Sequence, residues 1–186
     1  MTGLGEILLK DESQRFDLPA FKILGVLYAF ERILEAQPKN SNLVVACASA
    51  GNHGRAVARA ARMRGLSAKI YLPVGVAPAR IDAIVGEGAE VVVTDQNYEG
   101  SIRLVNAEAK RRGWQVVSDT AWDGYETIPR WIMAGYSWLM EEASLQWDSD
   151  KPPDAVFVQA GVGGLACAVL TWLDWKYGSG RPPVIA

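Results

Sequence analysis

The chain has 186 residues, 49% of them hydrophobic and 22% charged, which is enough for one sizeable core and too little to demand several domains. A net charge of −2, with both signs mixed along the sequence, excludes the basic footprint of a nucleic-acid binder. No apolar run approaches the roughly 20 residues that a membrane span needs.

In chain order, "EILLK" (6–10) predicts a short strand, and Pro19 opens a helix near its first turn, where a missing N–H costs least. "LVVAC" (43–47) reads as a buried strand, and a glycine-containing turn leads into a helix from Asn52 to Arg64 that Gly65 ends. "AKIYLP" is the next strand, followed by a helix over Ala79–Val85, the strand "AEVVVT", and a helix through Lys110 stopped by Gly113. The basic run 110–112 is then a solvated helix end, where positive charge complements the dipole. "WQVVS" gives a further strand, and after a loop comes a long helix from Ile128 to Ala143. A polar linker "QWDSDKPP" (146–153), the strand "DAVFVQA", a glycine turn and the helix "LACAVLTWLDW" complete the pattern, and "PPVIA" reads as one more strand.

Continuous apolar strands separated by helices are the mark of a parallel sheet covered on both faces, so the expected fold is a three-layer α/β/α protein. The last strand stops within a buried-type run, and a protein truncated at both ends is expected. The start carries no signal-peptide pattern, so a cytoplasmic protein is expected. Cys47 and Cys167 lack any CxxC spacing and read as reduced, buried small hydrophobes, and with a single histidine, His53, they build no metal site.

Ligands of such sheets bind beyond the carboxyl ends of strands, which directs attention to three stretches. In the first, "RFDLPAFKILG", Lys22 stands in a helix apolar nearly all round. Burial and the positive end of a helix both disfavour an ammonium, and an amine so depressed is a nucleophile toward carbonyls. A stem that snorkels to the surface, or a pairing with Asp11 or Glu12, is the other reading. The second stretch, "CASAGNHGRAVA" (47–58), starts a helix with Asn52 able to donate and accept, as a ring hydroxyl partner must; an ordinary capped turn uses the same letters. His53 reads as a structural histidine. The third, "QAGVGGLA" (159–166), places glycines at a helix N-terminus, a nest of N–H groups suited to phosphate. Through Gly161, Gly163 and Ala166 it also satisfies the dinucleotide pattern GxGxxA. A nucleophilic lysine, a ring-contacting asparagine and a phosphate cup are together what pyridoxal 5'-phosphate requires.

These stretches resemble a known family. "KDESQRFDLPAFKILG", "AGNHGRAVA", "VVVTDQNYEGSIRLV", "VSDTAWDGYETIPRWIMAGY" and "QAGVGGLA" are similar, in the same order, to diaminopropionate ammonia-lyases, members of the tryptophan-synthase-β-like, fold type II group of pyridoxal phosphate enzymes. The resemblance implies that Lys22 holds the cofactor and acts as a base at the substrate α-carbon, that Asn52 touches the ring hydroxyl, and that Gly161, Val162, Gly163, Gly164 and Leu165 bind phosphate. Asp119 would sit by the substrate and assist proton transfer; read without the resemblance it is a turn-forming carboxylate. The implied reaction is α,β-elimination of 2,3-diaminopropionate to pyruvate and ammonia, by a homodimer acting on a small amino acid. The whole chain would be part of one such enzyme domain, with a smaller subdomain within about 50–135. Members typically carry an aspartate where this chain has Ala50, and the turn then reads like "SAGNHG" of serine/threonine dehydratases. Their chains are about twice this length.

Overall fold

The computed structural model describes residues 5–37, 42–147 and 151–186. Four strands form a parallel sheet: β1 (Val44–Ala48), β2 (Ser67–Pro73), β3 (Glu90–Thr94) and β4 (Gln115–Val116), in the spatial order β3-β2-β1-β4. The connections are helices α2 (Asn52–Met63), α3 (Pro78–Val85) and α4 (Tyr98–Arg112). Alternation along β1 serves both faces, as a strand's two-residue period requires. Val45 and Cys47 join the core with α2, while Ala46 meets Tyr71 and Val105 of α4 on the other side. Helices thus cover both faces, which is the expected three-layer arrangement.

Chain ends of the helices follow their local chemistry. Asn97 caps α4 by accepting from the Gly100 N–H at 2.8 Å, and Gly113, at φ 70°, takes the left-handed conformation that closes it. Arg111 and Arg112 in its last turn pair with Glu108, so the basic run is a helix end as expected.

A second body of structure packs on the α2 side. Helix α1 (Lys22–Glu35) lies between α2 and α5 (Thr127–Gln146), and α6 (Gly164–Tyr177) packs on α5. The α1–α5 crossing depends on two glycines. A Cβ on Gly25 would stand 2.5 Å from the Ile132 carbonyl oxygen, and one on Gly135 would stand 2.7 Å from the Leu24 carbonyl oxygen. Backbones come this close only where side chains are missing. Strands β5 (Val156–Phe157) and β6 (Val184–Ile185) form a separate parallel pair.

Several expectations need correction. Residues 6–10 form no strand: no described strand pairs with them, and Leu9 is 87% exposed. Instead Lys10 reaches Glu142 of α5 at 2.9 Å, and Arg15 reaches both Glu12 and Glu142. Helix α1 starts at Lys22, three residues after Pro19, because a tight hairpin precedes it. Arg15 and Leu18 exchange backbone hydrogen bonds of 2.8 and 3.0 Å around Phe16 and Asp17, both at positive φ. Cys47 is buried as expected, but Cys167 faces outward on α6. The linker expected over 146–153 begins inside α5, and its positions 148–150 lie outside the described residues.

Candidate active site

Strands β1 and β4 are neighbours, yet the chain leaves β1 toward β2 and arrives at β4 from β3, at the opposite edge. Their adjoining carboxyl ends are therefore a topological switch point, where an open α/β sheet leaves a crevice. Residue 117 continues the ladder, donating to the Ala46 carbonyl at 2.9 Å, and two residues later Asp119 emerges beside the turn that starts α2. That turn is shaped by Gly54: a Cβ there would lie 2.0 Å from the Ser49 carbonyl oxygen.

Three side chains converge at this point. Lys22 at the first turn of α1 extends Nζ to 2.6 Å from Asp119 Oδ2. The same carboxylate oxygen lies 3.7 Å from Nδ1 of His53, the second residue of α2. The far ring nitrogen of His53, Nε2, is 3.0 Å from the Val117 carbonyl oxygen. Lys22 does not snorkel and does not use Asp11 or Glu12. Its stem runs past the rings of Phe21 and Tyr136, with Nζ 5.4 and 5.6 Å from their centroids. Those two rings meet edge to face at 5.0 Å.

The electrostatics follow from burial and pairing. Burial works against the Asp119 charge, but His53 and the Lys22 ammonium outweigh it and hold the carboxyl below its ordinary 3.8. Burial likewise pushes the His53 imidazole below its ordinary 6.5, against the pull of Asp119. Of His53 and Lys22, the lysine is the one in direct hydrogen-bond contact with the carboxylate. Burial raises the thiol of Cys47 and the phenols of Tyr125 and Tyr136, so these neighbours stay protonated.

Asn52 opens α2 with its side chain exposed, and no side chain caps that helix. The glycine turn at 161–165 leads into α6, which is equally uncapped, with Gly163 at φ 84° as its first flanking residue. Its N-terminal N–H groups stay available to an anion. A Cβ on Gly164 would lie 3.7 Å from the Tyr136 ring, and Lys22 Nζ is 5.6 Å from the centre of that ring, so the turn borders the same neighbourhood. The structure thus brings Lys22 and Asp119 into direct contact, places Asn52 next to His53, and sets Gly164 of the 161–165 turn near Tyr136. His53 and Tyr136 are the members that reading the sequence missed. Neither His53 Nδ1 nor the Tyr136 hydroxyl has a hydrogen-bond partner among the described residues. Buried polar atoms are seldom left so.

These residues fit pyridoxal phosphate: an amine in contact with a carboxylate, an exposed amide and an uncapped glycine turn are the groups such a cofactor needs. Similarity to known proteins agrees. The diaminopropionate ammonia-lyase of Escherichia coli (strain K12) is 45% identical over 92% of this chain and 47% of its own length. A crystal structure of the Escherichia coli diaminopropionate ammonia lyase in complex with D-serine superposes with a TM-score of 0.87 at 42% identity, covering 94% of this chain and 49% of that one. The L-serine dehydratase/L-threonine deaminase of Homo sapiens is 30% identical over the full chain and 52% of its own length. The chain thus spans about half the length of the curated relatives it matches. Residues 2–186 match the family model of the pyridoxal-phosphate dependent enzymes, and the chain belongs to that family, in its fold type II branch.

Proposed function

We propose that the chain is part of a lyase that converts 2,3-diaminopropionate to pyruvate and ammonia by α,β-elimination. The observation that carries this reading is the 2.6 Å contact between Lys22 Nζ and Asp119 Oδ2 at the switch point, within stretches similar to diaminopropionate ammonia-lyases. In this reading Lys22 holds the cofactor aldehyde, Asn52 its ring hydroxyl, and the N–H groups of Gly161, Val162, Gly163, Gly164 and Leu165 its phosphate. When bound, pyridoxal phosphate supplies an electron-withdrawing ring that accepts the charge developing at the substrate α-carbon. Lys22, once uncharged, takes the α-proton, and Asp119 at its amine stores or returns protons as the β-amino group leaves. Hydrolysis of the remaining enamine gives pyruvate and a second ammonia. We further propose that the smaller subdomain lies within about 50–135, a span that takes in β2–β4, and that the working enzyme is a cytoplasmic homodimer.

Ala50 favours a second reading. It stands directly before Gly51 in the α2 turn, where an alanine takes no proton, so a serine/threonine dehydratase activity competes with the first reading. Assays of pyruvate and 2-oxobutyrate release from L- and D-diaminopropionate, serine and threonine separate the two. The expected outcome is turnover of L-diaminopropionate above all others, with D-isomer turnover appearing in Ala50→Asp. Preference for serine or threonine would transfer the assignment to a dehydratase, and no turnover at all would leave an inactive piece of this fold.

A further inference from the structure

Strand β4 is only two residues long, and beyond it the sheet holds little of the chain. Gln115 and Val116 pair with Val45 and Ala46, Val117 adds one bond to the Ala46 carbonyl, and there the ladder ends. Asp119 stands two residues later, yet its carboxylate meets Lys22 Nζ at 2.6 Å. A side chain keeps so close a contact only if the backbone that carries it is itself fixed.

Tyr125 supplies that fixing. Its hydroxyl donates to the Val116 carbonyl at 3.0 Å and accepts from the Ser118 N–H at 2.8 Å, so one oxygen grips the backbone on either side of Val117. The Val117 carbonyl lies 3.0 Å from His53 Nε2, and the Thr120 N–H reaches Ser118 Oγ at 3.2 Å. Tyr125 is braced in turn. It exchanges backbone hydrogen bonds with Trp122 across a turn in which Gly124 takes φ 79°, and its ring stacks on that of Trp122 at 4.0 Å. Burial keeps the phenol protonated, as donation to a carbonyl requires.

We propose that Tyr125 is a positioning residue whose hydroxyl fixes the exit of β4 and so holds the Asp119 carboxylate on Lys22. Its bearing on catalysis rests on the proposed roles of Lys22 and Asp119; its bearing on their contact does not. The Val116 carbonyl also accepts from the Gln115 side chain at 3.0 Å, so without the phenol it keeps a partner. The Ser118 N–H then has none among the described residues, and the slack falls on the Asp119 side of the turn.

Tyr125→Phe removes the hydroxyl and keeps the ring that stacks on Trp122. The Asp119 carboxyl carbon, identified by its loss in Asp119→Asn, is followed through an acid titration by NMR of the labelled 186-residue chain. His53 and Lys22 hold this carboxyl below its ordinary 3.8 against burial, while Cys47, Tyr98, Tyr125 and Tyr136, the other groups that sense it, keep their protons throughout the acid range. A looser contact with Lys22 leaves burial to act, so the titration should move upward in Tyr125→Phe. An unmoved titration overturns the proposal, because a hydroxyl that only ties backbone does not reach the carboxylate. Urea denaturation at neutral pH closes a double-mutant cycle with Asp119→Asn. The combined loss should fall short of the two single losses added together; strictly additive losses overturn the proposal as well. Both arms read the folded chain without cofactor. Failure of borohydride to fix pyridoxal phosphate on Lys22 contradicts the proposed function instead, and these two arms then decide the role of Tyr125 by themselves.

Discussion

Asp119 serves stability through the same contact that the proposed chemistry uses. Its partner Lys22 is about four-fifths buried, and an ammonium so placed is costly without a countercharge. Replacing Asp119 by asparagine is expected to lower the unfolding free energy by about 1.5–3 kcal/mol at neutral pH, the usual range for a hydrogen bond to a charged group. The sign of the pH dependence follows from the direction of the shift. Because the folded carboxyl titrates below its ordinary 3.8, its contribution is fully present above that value. It is lost as pH falls through the folded value, so the two proteins should converge in acid. Urea denaturation at neutral pH and in acid measures this, and a constant difference across that range would refute the pairing.

Between elements, the α1–α5 crossing sets the orientation of Lys22. Gly25→Ala puts a methyl carbon 2.5 Å from the Ile132 carbonyl oxygen and from the Tyr136 ring, neither of which can yield without moving a helix. A loss of about 1–3 kcal/mol or more is expected, read as a lower denaturant midpoint, since overpacking a tight contact costs that much. Gly25→Ala with unchanged stability would show that the crossing is looser than this. At this scale the sequence was readable where a local pattern decides the outcome. The run from β1 to α4 follows apolar strands and the glycines that end its helices. Residues 6–10 carry the same apolar letters as a strand but find no neighbour, and pairing is not a property of the segment alone. The hairpin at Arg15–Leu18 was hidden because Phe16 and Asp17 are not the Asn-Gly pair that usually announces such a turn. Lys22 and the glycine turns were conspicuous for reasons of charge and composition. The contact of Lys22 with Asp119, 97 positions away, and the entry of His53 into the site arise from the order of strands, which no single stretch encodes.

For the molecule as a whole, the described surface leaves much apolar area uncovered. A groove of about 900 Å³ runs between α1, α5 and α6, floored by Leu24, Met133 and Trp172. Trp138 at its rim is 58% exposed and Trp175 is 74% exposed. Among the described residues, strands β3 and β4 each have one partner in their sheet, leaving two edges able to pair again. The isolated chain should therefore self-associate in solution, and light scattering that finds a clean monomer across the working concentration range would count against this. The helices that frame the groove also hold the site, since α1 presents Lys22 and α5 presents Tyr136. The most direct test of the central claim is to incubate the chain with pyridoxal phosphate, reduce with borohydride and locate the attached group by mass spectrometry. One cofactor on Lys22, absent after Lys22→Ala, is the expected result; label spread over surface lysines, or retained after Lys22→Ala, would contradict it.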